Sequence, residues 1–393
     1  MPKVSEWINF FKNIDLSSEC LRKEYGSDYN YIDNKRVSIL ELLNLHLKKF
    51  GNNDIIIARV PGRINLMGRH VDHQGSTVNL IAIDKEIFIT GSLRTDHRII
   101  AYNYNEKLFK NIDLDFSTLN SGILDNWNKL IKNDILICKL RSPKGSWENY
   151  LKAAYFRLAN LVGLKKTLGA NICVYGNLII AAGLSSSSAL TMGIFEVLIK
   201  LNNIKLENNE IINLSAQAEW FVGTRGGSSD QIAIKLSKTN QIAHVKLFDL
   251  EILERIDFPD NCEIMVCNTN IIADKSGSKM DLYNQKVLAY EIGFALIKNF
   301  YPEYAKKLRY LRDLDDIGLS SKELIKMLLI LPEYIKFNEI PKFLGKKWKE
   351  LEKKYVFNEI PKQIPIRKII AYGISECRRS KSFIKFIKNQ NIS

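Results

Sequence analysis

The run Ile55-Ile56-Ile57-Ala58-Arg59-Val60 and the fifteen residues after it constrain the fold more than any other part of the chain. The run is short, apolar and β-branched, which reads as a buried strand. It leads directly into Pro61-Gly62-Arg63-Ile64-Asn65-Leu66-Met67-Gly68-Arg69-His70-Val71-Asp72-His73-Gln74-Gly75. The Pro-Gly-Arg step is expected to end the strand and turn the chain sharply. Gly62 and Gly68 supply backbone angles that other residues resist. Arg69, His70, Asp72, His73 and Gln74 then crowd six positions. So dense a polar run beside a buried strand costs stability unless it faces a cleft or solvent. From this segment alone, a cleft lining and a plain surface loop both remain open.

The rest of the chain sets the frame. At 393 residues with 46% apolar content there is enough core for two domains or one large α/β unit. The 25% charged content argues against global disorder. The formal charge of +14 has two readings, a Lys-rich codon bias and attraction of an anionic ligand. The basic residues are spread and carry no nucleic-acid fingerprint. The six cysteines, Cys20, Cys138, Cys173, Cys262, Cys267 and Cys377, form no Cys-x-x-Cys pair, so reduced thiols in a cytoplasmic protein are expected. The first fifteen residues mix charges with apolar residues, unlike a signal peptide. No apolar run is long enough to span a membrane.

Residues 1–50 read as helical. Strands are expected over Val78 to Gly91, Ile99 to Tyr104, Ala170 to Ile180 and Cys262 to Asn268. Helices are expected over Trp147 to Leu161, Ser187 to Leu201, Asn208 to Val222 and Met280 to Phe300. After Tyr301 the pattern is mostly helical. It holds one repeat, Phe337-Asn338-Glu339-Ile340-Pro341-Lys342 and Phe357-Asn358-Glu359-Ile360-Pro361-Lys362, in which each Pro is expected to break a helix.

Two further segments carry chemistry. Ala181-Ala182-Gly183-Leu184-Ser185-Ser186-Ser187-Ser188-Ala189-Leu190 follows a strand and opens a helix. Free amides and a positive dipole end there suit phosphate, although for the segment alone simple Ser capping is the better explanation. There is no Gly-x-x-x-x-Gly-Lys, so a P-loop is excluded. Ala218-Glu219-Trp220-Phe221-Val222-Gly223 and then Gly226-Gly227-Ser228-Ser229-Asp230-Gln231 place two carboxylates near a glycine-rich turn. A solvent-facing helix Glu and an Asx-turn Asp are the bland readings of that pair.

Taken together, these segments resemble the galactokinase type of the GHMP kinase superfamily. Residues 61–75 are similar to Pro-Gly-Arg-Val-Asn-Leu-Ile-Gly-Glu-His-Thr-Asp-Tyr-Asn-Gly, and 183–189 to Gly-Leu-Ser-Ser-Ser-Ala-Ala, with Ile179 where a Pro is usual. Residues 218–231 are similar to Ala-Glu-His-x-Phe-x-Gly…Cys-Gly-x-Met-Asp-Gln, one residue shorter between Glu and Asp. Tyr283-Asn284-Gln285-Lys286 resembles Tyr-Asn-x-Arg, and Glu376 with Arg379 a Glu-x-x-Arg helix.

The resemblance implies an α+β, two-domain fold. Residues 1–258 would form a ribosomal protein S5 domain 2-like kinase domain. Residues 259–393 would form an incomplete ferredoxin-like domain, because the family's final glycine loop is missing before Ser393. It implies a chain truncated, split between two genes or degenerate, with either poor stability alone or a partner chain supplying the remainder. It implies ATP and Mg²⁺ as cofactors and a sugar as substrate, with no nucleic acid and no membrane.

By position, Asp230 would be the catalytic carboxylate and Arg63 would stabilise the transferring phosphoryl group. Gly183, Leu184, Ser185, Ser186, Ser187 and Ser188 would hold ATP, and Ser187 and Glu219 the Mg²⁺. His70, Asp72, Tyr283 and Arg69 would face the sugar. Arg69 stands where the family has Glu. A guanidinium cannot accept from a hydroxyl but pairs with a carboxylate. The tail His-Val-Asp-His-Gln-Gly is also similar to plant galacturonokinases. The implied activity is phosphorylation of a hexose at its anomeric hydroxyl, with a uronic acid such as galacturonate as the candidate. The alternatives are galactose as substrate and a non-catalytic sugar- and nucleotide-binding protein.

Overall fold

The computed structural model describes residues 1–393 apart from 72, 73, 144, 181, 224, 225, 249, 268–279, 353–356, 358 and 390–393. The chain begins with three helices, α1 (Val4–Lys12), α2 (Ile14–Tyr25) and α3 (Tyr29–Phe50). Strands β1 (Ile56–Met67), β2 (Thr77–Leu93), β3 (Arg98–Asn103) and β4 (Ile112–Asp115) follow. Next come α4 (Trp127–Leu130), α5 (Asp134–Leu140), α6 (Glu148–Val162), β5 (Ala170–Gly176), α7 (Ser186–Leu201), α8 (Asn208–Val222) and α9 (Ser229–Leu236). Strands β6 (Gln241–Lys246) and β7 (Glu251–Asp257) complete a seven-stranded sheet of order β4-β3-β5-β2-β6-β7, with β1 paired to β2. The β3–β5 pair is parallel and the others are antiparallel.

Strand β2 organises this sheet. One edge pairs with β1 along its length. The other pairs with β5 over Ile87–Leu93 and with β6 over Thr77–Leu80. Side chains alternate between its faces. Ile87 and Ile89 enter the core beneath α6, α7 and α8, whereas Phe88 joins Ile8, Phe11, Leu42 and Leu43 of the amino-terminal helices. Where β2 bends, Lys35 of α3 ion-pairs with the buried Glu86, which also accepts from the Tyr25 hydroxyl at 2.6 Å.

The carboxy-terminal part holds α10 (Met280–Phe300), α11 (Pro302–Ala305), α12 (Ser321–Ile330), β8 (Tyr334–Lys336), α13 (Ile340–Leu344), α14 (Lys346–Glu352), β9 (Gln363–Pro365) and α15 (Arg367–Lys388). Its core packs α10 against α15 and includes Val71, fully buried, from the loop between β1 and β2. Among the described residues no helix is long and apolar enough to cross a membrane.

Several elements differ from expectation. β1 does not end at Pro61. It runs on to Met67, with register irregularities at Pro61/Arg63 and Asn65/Met67 that absorb the proline. Gly62 serves close approach rather than a turn, since a Cβ there would sit 2.5 Å from Leu178 Cδ1 and 3.0 Å from the Leu184 carbonyl oxygen. The turn comes at Gly68, whose φ is +100°. Residues 262–267, expected as a strand, are irregular, and Asn268 lies outside the described residues. Pro341 sits in the first turn of α13 and starts a helix instead of breaking one. Of a ferredoxin-like sheet, the described residues form two three-residue strands, β8 and β9, which flank the repeat and pair with each other. All six cysteines are free.

Candidate active site

The strand extension places Arg63 in mid-strand, opposite Ala82, and the residue is 9% exposed. Its guanidinium donates from Nε and Nη2 to Asp230 Oδ1 at 2.8 and 2.6 Å, and from Nη1 to the Gly183 carbonyl at 2.8 Å. The other Asp230 oxygen, Oδ2, accepts from Ser185 Oγ at 2.6 Å. Asp230 lies in the first turn of α9, where the helix dipole favours a carboxylate. One arginine therefore joins the carboxylate, the serine loop and the sheet.

The serine loop opens α7. Ser185 precedes the helix in a left-handed conformation, φ +62°. That backbone is uncommon for a non-glycine residue, and here the hydroxyl is fixed on Asp230 instead of capping its own helix. The first amides of α7, at Ser186, Ser187 and Ser188, face the cleft with no intrahelical partner required of them. Glu219, near the end of α8, is half-buried and accepts from Gln231 Nε2 at 2.6 Å. Ser187, Glu219 and Asp230 line one cleft of about 1220 Å³. Their oxygens suit a hard divalent cation completed by phosphate and water. Among the described residues no group of three His, Cys, Asp or Glu side chains forms a metal cage by itself.

Beyond the carboxylate, the cleft wall carries Asn65, Arg69, His70 and Tyr283. The rings of His70 and Tyr283 are 6.4 Å apart. Arg69 is exposed, and its guanidinium makes no hydrogen bond to a described residue. Asp72, the expected sugar acceptor, lies outside the described residues. Another part of the wall is apolar: Leu108, Phe109, Trp147 and Tyr150 line the cleft together with Asn103 and Asn105. Trp147 donates its indole N–H to the Lys110 carbonyl at 2.9 Å, which fixes its ring against Phe109.

The turn that presents Arg69 and His70 is held from below by α15. Glu376 is 4% exposed, and its Oε1 accepts the backbone N–H groups of both Gly68 and Arg69 at 2.8 Å. Its Oε2 accepts from Arg379 at 2.7 and 2.9 Å. Burial pushes this carboxyl's pKa up, but Arg379 and the two amides together outweigh it, and the net shift is downward. One helical turn on, Ser380 donates to the Thr77 carbonyl at 2.7 Å and accepts from Asn79 Nδ2 at 3.0 Å.

The galactokinase galactose-binding signature matches residues 44–93, and the GHMP kinases N terminal domain matches residues 149–238. Both stretches are signatures of the GHMP kinase superfamily, and the chain resembles it in sequence over them. Those two stretches hold Arg63, Arg69 and His70 in the first, and the serine loop, Glu219 and Asp230 in the second. The chain is 28% identical over 295 residues to the galactokinase of Dictyostelium discoideum, a match of 74% of this chain and 55% of that one. It is 30% identical over 231 residues to the galactokinase of Ligilactobacillus salivarius (strain UCC118), covering 58% and 52%. It therefore spans little more than half the length of these curated relatives. Among solved structures, Lactococcus lactis galactokinase complexed with galactose superposes with a TM-score of 0.59 at 19% identity, covering 90% of this chain and 75% of that one. That likeness shows the GHMP kinase fold.

Composition and spacing did not expose the apolar part of the cleft wall. Phe109 and Trp147 are far apart in sequence and belong to no motif. The Glu376 contact did leave a trace, the Glu-x-x-Arg spacing, but a spacing cannot say which amides a carboxylate will meet.

Proposed function

We propose that this chain transfers the γ-phosphoryl group of ATP to the anomeric hydroxyl of a hexose. The observation that carries the reading is the shared use of Asp230 by Arg63 and Ser185 at the mouth of the α7 amides. A carboxylate so placed can accept the sugar hydroxyl's proton as its oxygen attacks the γ-phosphorus and the bond to ADP breaks. Arg63 holds Asp230 through two hydrogen bonds and, with the α7 amides, offers donors to the charge that develops on the phosphoryl oxygens. Ser187 and Glu219 would hold Mg²⁺, which neutralises phosphate charge when bound. The purine would lie between Phe109, Trp147 and Leu108, with Asn103 and Asn105 for its polar edge. His70, Asp72 and Tyr283 would face the sugar.

The test is ADP release measured with and without sugar. Asp230→Asn should abolish the sugar-dependent part, and turnover that survives it would refute the role given to Asp230. Tight binding of sugar and nucleotide with no ADP release would instead favour a binding protein. Arg69, exposed on the sugar side with no hydrogen bond to a described residue, favours a substrate bearing a C6 carboxylate. The name shared by the relatives favours galactose. A panel of galactose, galacturonate and glucuronate separates the two. Good turnover of galactose with none of either uronate would remove the uronate reading and leave the kinase intact.

A further inference from the structure

Behind the loop between β1 and β2 lies a second pocket, of about 250 Å³, that shares no described residue with the cleft. Gln74 forms part of its wall. The residue is 93% buried, being 7% exposed, yet its side-chain amide makes no hydrogen bond to any described residue. Its amide is not sealed off from solvent, so its donors and its acceptor are open to a molecule in the pocket. Around it stand Lys298 from α10, Arg309 from the turn after α11 and Lys347 from α14. None of the three forms an ion pair with a described carboxylate. Among the described residues Glu291 is the one acidic side chain on the wall, and the Tyr310 hydroxyl borders it without a hydrogen bond to a described residue. Three cations drawn from three separate elements repel one another unless an anion lies between them.

We propose that this pocket binds a small phosphate-bearing anion, either inorganic phosphate or a compact phosphomonoester. A phosphate dianion at neutral pH offers several acceptor oxygens to a guanidinium, two ammoniums, an amide and a phenol, more than a carboxylate can. The pocket volume limits the ligand to the phosphate and a few further atoms. Its occupancy bears on the sugar loop: Gly75, next to Gln74, packs against Tyr310 and gives its carbonyl to Arg312 at 2.6 Å. The site is independent of the kinase reading, because no cleft residue contributes to it.

The experiment measures inorganic phosphate binding by calorimetry on the full chain, with glycerol phosphate and acetate as further probes. The double variant Arg309→Ala/Lys347→Ala alters two exposed side chains and is expected to keep the fold. It should weaken one class of phosphate sites at least tenfold. The control Lys306→Ala/Lys342→Ala removes the same charge from exposed positions off the pocket and should not. Gln74→Leu should weaken binding as well. Phosphate should also protect Lys298 and Lys347 from acylation, read by peptide mass spectrometry, which reports on the pocket even if a variant fails to fold. Equal weakening by the pocket and control variants would overturn the proposal, as would acetate competing as well as phosphate, or lysine labelling that phosphate leaves unchanged.

Discussion

Replacing Glu376 with Ala should loosen the Gly68–Arg69 turn more than any other single change outside the cleft. In the native protein its Oε1 satisfies two backbone N–H groups at 2.8 Å, and the residue is 4% exposed. The Ala variant leaves both amides without that acceptor, at about 1–3 kcal/mol per orphaned buried group. Arg69 is exposed, so water can reach its amide and reduce the loss there. Arg379 is about half exposed, and its pair with Glu376 adds about 0–1 kcal/mol. The expected total is roughly 2–4 kcal/mol.

Glu376→Gln keeps an acceptor for the two amides but turns an NH₂ group or a neutral oxygen toward Arg379, and should lose roughly 1–2 kcal/mol. Urea unfolding at pH 7, with amide exchange at Gly68 and Arg69, measures both variants. Two results would refute the reasoning: an Ala variant within about 0.5 kcal/mol of wild type, or a Gln variant as damaged as Ala. The pH dependence supplies a second check. The folded pKa is lowered, so this stabilisation is present above the unfolded carboxyl pKa and is lost as pH falls through the folded value. The wild type should therefore lose stability on acidification below pH 4.5, and Glu376→Ala should show less of that loss.

Three further outcomes follow from the same kind of accounting. Burial holds His46 down to about 4, with Nδ1 on Thr90 Oγ1 at 2.9 Å, so the neutral ring is favoured in the folded protein; stability should fall by about 3 kcal/mol as pH drops from 6.5 to 4, and His46→Phe should flatten that slope in urea titrations. Gly62→Ala pushes a methyl against Leu178 and the Leu184 carbonyl and should destabilise by about 1–3 kcal/mol in thermal unfolding; a Tm equal to wild type would show that this approach is not tight. Lys35→Met leaves the buried Glu86 carboxylate to Arg59 at 3.4 Å and the Tyr25 hydroxyl at 2.6 Å and should lose about 2–4 kcal/mol, whereas Lys35→Met/Glu86→Leu should recover part of it; additive losses in that cycle would show that the two residues act independently.

What the sequence disclosed depended on whether a feature is local. Helix α10 was legible to the residue, because its period and length depend on nothing distant. The serine-rich start of α7 was legible for the same reason. The Arg63–Asp230–Ser185 contacts join residues up to 167 positions apart, and resemblance, rather than pattern, brought those residues together beforehand. The failures are of one kind. Ile264-Met265-Val266 has strand composition, but a strand exists only with a partner, and here the segment lies exposed along the cleft, with Met265 87% exposed. Pro61 has the look of a strand end, yet β2 continues alongside it, and an irregularity in register accommodates the ring. The two copies of the Phe-Asn-Glu-Ile-Pro-Lys repeat do not fold alike. The first enters α13 and the second leads into β9, while Phe337 and Phe357 meet edge to face at 5.9 Å.

On the proposed function, residue 69 can alter substrate preference with little change to the fold around it. Residue 69 contributes two separate things to the site, a backbone and a side chain. The backbone is fixed by groups indifferent to side-chain identity: its N–H goes to Glu376, its carbonyl accepts from the Tyr372 hydroxyl at 3.2 Å, and Gly68 supplies the φ of +100° that makes the turn. The side chain makes no hydrogen bond to a described residue and stands on the cleft wall. Exchanging the family's Glu for Arg therefore reverses the charge offered to a ligand with little penalty to the turn. A stability measurement separates these contributions. Arg69→Glu should leave the urea midpoint within about 0.5 kcal/mol of wild type while changing which sugars bind, whereas Glu376→Ala should lower stability and weaken every sugar together. If Arg69→Glu instead unfolded the turn, the guanidinium would be structural, and its use in recognising a carboxylate would fall with it.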